Sequence, residues 1–180
     1  MIKITYFVHG TTVDNENNVS SGWFDAELSE KGIQQAIKLR ELIEDKYFDV
    51  VFCSDLQRAI KSAQLTYGDT VKIIQDERLR ECNYGEYNTK SSEIVEPMQE
   101  ENITKSFPGG ESYEDVKARI GEFLEYLKAN FDNKSVAIVA HKAPQLALDV
   151  LLCGKSWEQA FTDDWRKRKA WQPGWEYIIK

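Results

Sequence analysis

The chain contains only two histidines, and each follows directly on a short apolar run: Tyr6-Phe7-Val8-His9 and Ile138-Val139-Ala140-His141. Short apolar runs bounded by turn-forming residues read as strands buried on both faces. Strands of that kind build open α/β sheets, whose ligands gather in the crevice beyond the strand C-termini. If the two strands are parallel near neighbours, both imidazoles project into one crevice. A lone histidine there could merely close its strand and hydrogen-bond a carbonyl. Two such placements, with no histidine elsewhere, point to a shared site.

The segments between supply the helices that a parallel sheet needs. Beyond His9-Gly10 the chain enters a loop rich in Thr, Asp, Asn and Ser. From an N-cap at Ser29, Ile33, Ala36, Ile37, Leu39, Leu42 and Ile43 recur at three- and four-residue steps, an apolar helical face. Residues 49–53 read as a buried strand, and Ser54 or Asp55 as the cap of a helix carrying Leu56, Ala59, Ile60 and Ala63. Residues 71–74 form a weaker third strand. The stretch 76–110 has little periodicity, and a connection of that length is usually functional, so it is expected to cover the substrate. Ser112 and Asp115 have capping-box spacing ahead of Val116, Ile120, Phe123, Leu124, Leu127 and Phe131, an amphipathic helix. Residues 136–140 form the strand before His141, and Pro144 suits the first turn of the helix that follows. Residues 175–179 add an edge strand. This alternation predicts an α/β protein, a three-layer α/β/α sandwich with a mostly parallel central sheet, in one domain over residues 1–180.

Composition narrows the function classes. The 180 residues carry 23 Lys+Arg against 30 Asp+Glu, a net charge of −7, which repels a polyphosphate backbone and argues against a nucleic-acid partner. A single phosphate held by local cations remains compatible with it. Neither an uninterrupted apolar run of 18 residues nor a secretory layout is present, so no membrane partner and a cytoplasmic location are expected. Cys53, Cys82 and Cys153 form no CxxC pair and are expected to be free thiols.

Five blocks of sequence then carry a resemblance. His9-Gly10 with Thr12 and Asn15, Ser21-Gly22-Trp23, Asp25 and Leu28-Ser29-Glu30-Lys31-Gly32 make the first; Ser54-Asp55-Leu56-Gln57-Arg58-Ala59 the second. Arg78-Leu79-Arg80-Glu81 with Tyr84-Gly85-Glu86 is the third, Pro108-Gly109-Gly110-Glu111-Ser112 the fourth, and His141 after its strand the fifth. In this order they resemble the histidine phosphatase superfamily, the branch that includes cofactor-dependent phosphoglycerate mutases. The resemblance implies phosphoryl transfer through a phosphohistidine, with His9 as nucleophile, Arg58 and His141 holding phosphoryl oxygens, Glu81 protonating the leaving group and Asn15 as a further phosphate contact. It implies neither metal nor organic cofactor. A neutral imidazole suits the task near pH 7 when its other ring nitrogen donates to a fixed acceptor.

The chain departs from the pattern where the motif reads Arg-His-Gly, because Val8 stands in the arginine's place. Losing one preorganised donor costs roughly 10²–10³ in turnover. Lys142, which replaces the glycine usual after the second histidine, is a candidate replacement cation; the alternative is a solvent-facing lysine at a helix start. The expected function is a metal-independent phosphomonoester phosphatase acting on a small phosphorylated metabolite. A phosphate-binding or regulatory module that lost turnover, and a mutase-like phosphotransferase, are the alternatives. Glu16 and Val19 argue against a calcium loop at residues 14–25, and zinc at the two histidines and Glu81 lacks short ligand spacing. Arg166-Lys167-Arg168-Lys169 reads as a solvated helix end that could shape an anionic substrate's approach, flanked by Trp165, Trp171, Trp175 and Tyr177 as anchors.

Overall fold

The apolar runs ahead of the two histidines become adjacent parallel strands, as burial on both faces requires. A computed structural model describes residues 1–168 and 174–180; Lys169 and Trp171 lie outside the described residues. In chain order the elements are β1 (Ile2–Val8), α1 (Val13–Glu16), β2 (Val19–Ser20), α2 (Glu30–Leu42), β3 (Val50–Cys53), α3 (Gln57–Tyr67) and β4 (Ile73–Gln75). They continue with β5 (Lys90–Ser91), α4 (Ser92–Val95), α5 (Tyr113–Asn130), β6 (Ser135–Ala140), α6 (Lys142–Cys153), α7 (Trp157–Thr162) and β7 (Trp175–Ile179). Turns of 3-10 helix lie at Glu77–Leu79, Gly85–Tyr87, Glu96–Met98 and Trp165–Arg168.

The sheet order is β4-β3-β6-β1-β7, parallel throughout except for β7, which runs antiparallel along the edge of β1. Strand alternation sends two sets of side chains in opposite directions. Ile4, Tyr6, Phe52, Val136 and Ile138 pack with Val116, Ile120, Phe123, Leu127 and Leu146 of α5 and α6. Phe7, Val51, Cys53, Ala137 and Val139 pack with Leu39, Ala59, Ile60 and Ala63 of α2 and α3. The result is the expected three-layer sandwich. No helix among the described residues is long and apolar enough to cross a membrane.

The predicted caps at Ser29 and Ser112 are present: Ser29 Oγ accepts the Gly32 N–H, and Ser112 and Asp115 form a reciprocal capping box. The predicted cap of α3 is not. Leu56 is its N-cap without a side-chain bond, because Ser54 Oγ is engaged by His141 and Asp55 pairs with Arg80 at 2.7 and 2.5 Å. Residues 14–16 belong to the short helix α1, and the Asp14 carboxylate accepts the Ser21 hydroxyl at 2.8 Å.

The unperiodic stretch 76–110 folds as short turns. Its β5 pairs antiparallel with β2 and draws the segment across the crevice side of the sheet. Gly85 makes this path possible. Its φ is 54°, and a Cβ there would lie 2.0 Å from the Pro108 carbonyl oxygen. At the C-terminus, Trp165 and Trp175 lie 6.2 Å apart, and the Tyr177 hydroxyl donates to Asp149 at 2.7 Å, so these described aromatics anchor the terminal segment.

Candidate active site

Register places the two histidines together. Val8 pairs with Ala140, so the next residue of each strand is a histidine, and the ring centroids lie 5.0 Å apart. The His9 backbone N–H donates to the Ala140 carbonyl at 3.0 Å, holding the turn against β6. His9 Nδ1 lies 2.6 Å from the Gly10 carbonyl. A carbonyl only accepts, so Nδ1 carries the proton and Nε2 keeps its lone pair. Burial first, then the Arg58 charge, pull the His9 pKa down to about 3 against the Gly10 hydrogen bond, which leaves the ring neutral near pH 7.

His141 is fully buried beside it. Its Nε2 shares a 2.6 Å hydrogen bond with Ser54 Oγ, while Nδ1 is buried without a partner. Tyr6 fixes the residue from both sides, donating to the His141 carbonyl at 2.6 Å and accepting its N–H at 2.9 Å. Burial and Arg58 hold its pKa well below the ordinary histidine value.

Arg58 comes from the first turn of α3 and is buried. Its Nη1 donates to the Phe24 carbonyl at 2.8 Å and Nη2 to that of Gly22 at 2.6 Å, so the loop after β2 orients the guanidinium. Asn15 Oδ1 is committed to the Thr12 N–H at 3.0 Å, which leaves its NH2 for an anion. Glu81 enters from the other direction. Its Oε1 accepts the N–H groups of Cys82 at 2.8 Å and Ala143 at 3.0 Å, and Oε2 accepts that of Lys142 at 3.2 Å, so the carboxylate sits on the N-terminus of α6.

Arg119 holds the Glu81 segment, a role that sequence reasoning missed. Its guanidinium donates to the carbonyls of Arg78, Arg80 and Glu81 at 2.5, 2.8 and 2.9 Å and pairs with Glu111 at 2.8 Å. Trp23 Nε1 adds a 2.7 Å bond to the Glu81 carbonyl. The available signal was a cation three residues after Val116 on the otherwise apolar stripe of α5.

His9, Asn15, Arg58, Glu81 and Lys142 all line one cavity of about 390 Å³, together with Val8. His141, expected to hold phosphoryl oxygens, is fully buried beside His9 and is not among the residues that line the cavity. Lys142 reaches the cavity, but its ammonium is paired with the buried Asp164 at 2.9 Å. Burial and Arg166 push its pKa down to about 8. Burial raises Asp164, yet Arg166 and Lys142 outweigh it and hold the carboxyl at about 2. Arg166 also lines the cavity, so the basic run is more than a solvated helix end: Asp164 turns one of its members inward.

Cys53 and Cys82 are buried free thiols; burial pushes Cys53 up to about 12 and holds Cys82 well above the ordinary thiol value, so neither supplies a thiolate here. Among the described residues, no three His, Cys, Asp or Glu side chains converge on a point that would hold an ion. What the cavity presents is a neutral imidazole with an exposed lone pair, a fixed guanidinium beside it, and a carboxylate across from it. Such a set can receive a phosphoryl group on nitrogen and exchange a proton with a departing or attacking oxygen.

A parallel sheet with two strand-end histidines, an arginine from the helix after β3 and a carboxylate on the same cavity is an arrangement chemically suited to phosphoryl transfer. The family model of the histidine phosphatase superfamily (branch 1) matches residues 6–169, and the chain belongs to this superfamily. It is 27% identical to phosphoserine phosphatase 1 of Hydrogenobacter thermophilus over 163 residues, covering 86% of this chain and 77% of that one. It is 38% identical over 110 residues to the 2,3-bisphosphoglycerate-dependent phosphoglycerate mutase of Streptococcus uberis, 57% of this chain but only about half (48%) of the mutase's length. Among solved structures it is similar to mycobacterial glucosyl-3-phosphoglycerate phosphatase, with TM-score 0.78, 27% identity and coverage of 89% and 86% of the two chains. YhfR of Bacillus stearothermophilus superposes with TM-score 0.80 at 25% identity, covering 89% and 84%.

Proposed function

We propose that the chain is a phosphomonoester phosphatase acting on a small phosphorylated metabolite through a phosphohistidine at His9. The observation that carries this reading is the His9 ring, with Nδ1 pinned to Gly10 and Nε2 free beside Arg58. His9 Nε2 attacks phosphorus, the bond to the ester oxygen breaks, and that oxygen takes a proton from Glu81. Water then attacks phosphorus, gives its proton to the Glu81 carboxylate, and the N–P bond breaks to release phosphate. Arg58 and the NH2 of Asn15 meet the charge on the non-bridging oxygens, and the buried His141 packs against the His9 ring. Lys142, tied to Asp164, adds positive charge to the wall. No step draws on a metal or an organic cofactor, and the free thiols suit a cytoplasmic location.

The mutase reading is the second one, supported by the streptococcal relative. The short connection between Glu81 and Pro108 favours hydrolysis over it, because a mutase must shield its intermediate from water. Release of inorganic phosphate from a panel of phosphorylated metabolites tests the proposal. Hydrolysis of at least one member is expected; phosphoryl exchange between phosphoglycerates without net release would favour the mutase, and phosphate binding with no turnover would favour a regulatory module.

A further inference from the structure

Arg166 belongs to none of the sequence blocks that carry the family resemblance, yet it shares their cavity. It stands in the 3-10 turn Trp165–Arg168, and its Nε is buried with no hydrogen-bond partner. Buried donors are almost always paired, so an orphaned one on a residue that lines the cavity calls for an explanation. Its remaining contacts are loose. Nη2 lies 3.3 Å from Asp164 and 3.7 Å from Glu96, and Asp164 is already held more closely by Lys142 at 2.9 Å.

Charge and position agree on what the explanation is. The residues lining the cavity include the cations Arg58, Lys142, Arg166 and Lys167 against the carboxylates Glu81, Glu96 and Asp164, a positive balance in a chain of net charge −7. The Arg166 charge is felt at the reacting groups: it helps to lower His9, and against the opposing effect of burial it is held charged by Asp164 first and then by Glu81. Phosphoryl transfer spreads charge over three non-bridging oxygens, and Val8 offers them nothing. The cavity thus combines an apolar residue where the motif carries an arginine with a lining guanidinium whose ion pairs are long.

Building on the phosphatase reading above, we propose that Arg166 is a phosphoryl-binding arginine of this site, its guanidinium donating to the non-bridging oxygens of the group transferred to His9. Asp164 is a positioning residue in this arrangement: it accepts from Nη2 and is itself anchored through Lys142 to the start of α6. The transferred group is then gripped by segments far apart in the chain, Arg58 after β3 and Arg166 shortly before β7.

The test uses the full chain with inorganic phosphate as the calorimetric ligand and an aryl phosphate, whose leaving group carries no anion, as substrate. Arg166→Gln should weaken phosphate binding by about tenfold or more and lower kcat on the aryl phosphate, with the thermal midpoint little changed. Arg166→Lys should recover part of the phosphate affinity but little of kcat, because an ammonium lacks the planar fork. Wild-type phosphate affinity and aryl phosphate turnover in Arg166→Gln would overturn the proposal. So would a loss confined to substrates with an anionic leaving group, which would make Arg166 a reader of the leaving group. A wild-type chain that neither binds phosphate nor hydrolyses any ester would instead remove the phosphatase reading and this proposal with it.

Discussion

The cavity has a floor and a wall, and they are built differently. The floor, His9, Arg58 and the buried His141 beside His9, hangs on adjacent strands and the helix after β3, each group tied by short bonds to backbone or a hydroxyl. The wall, Glu81, Lys142, Asp164 and Arg166, comes from irregular segments and the first residue of α6, and is joined by the distant contacts of Glu81 with the Lys142 N–H and of Lys142 with Asp164, and by the local Asp164–Arg166 pair. Hydrogen-bond register places the floor; charge pairing places the wall. A parallel ladder has one workable register when both faces are buried, whereas an ion pair needs two chains of contacts to arrive independently at the same point.

The floor is most sensitive at His9. His9→Gln should reduce turnover by several orders of magnitude, on the scale of removing a nucleophile, and abolish trapping of an acid-labile, base-stable phosphoenzyme. Hydrolysis at the wild-type rate would mean that the floor is not where the chemistry occurs. Arg58→Gln should lower kcat by roughly 10²–10³, the cost of one preorganised donor, with the fold intact by circular dichroism. An effect confined to KM would show that Arg58 binds ground state and transition state equally.

The wall should yield smaller and more separable effects. Arg119→Gln leaves Glu81 in place but unties its carbonyl, so kcat should fall by about 10- to 100-fold with little change in KM. Equal losses in both parameters would make Arg119 a general support of the fold instead.

Two pH profiles distinguish floor from wall most finely. His9 is held at about 3 in the fold, below its ordinary value near 6.5, so the unfolded chain binds more protons in between and stability falls as pH drops through that window. The denaturation midpoint of His9→Gln should therefore fall less steeply than that of the wild type between pH 6.5 and 4. Lys142 is held at about 8, below the ordinary lysine value, so its burial penalty is fully present below pH 8 and is relieved as pH rises toward 10. Relative to Lys142→Met, the wild type should gain stability over that range; a flat difference would mean that the Asp164 pair compensates the burial in full.

The sequence by itself determined the layers, the strand ends and most of the floor. Apolar runs, helical spacing and the Ser112 and Asp115 capping box are local patterns, and strand direction with register then carries His9 and His141 to one place. Even the family resemblance is a pattern of short blocks. Tertiary structure alone decided that Ser54 Oγ meets His141 instead of capping α3, that Arg119 clasps the carbonyls of the Glu81 segment, and that Asp164 draws Lys142 and Arg166 to one wall. Periodicity reports which face of an element avoids water, because burial is a property of each residue's own surroundings. It cannot report which buried cation meets which carboxylate, since that match depends on where two distant segments come to rest.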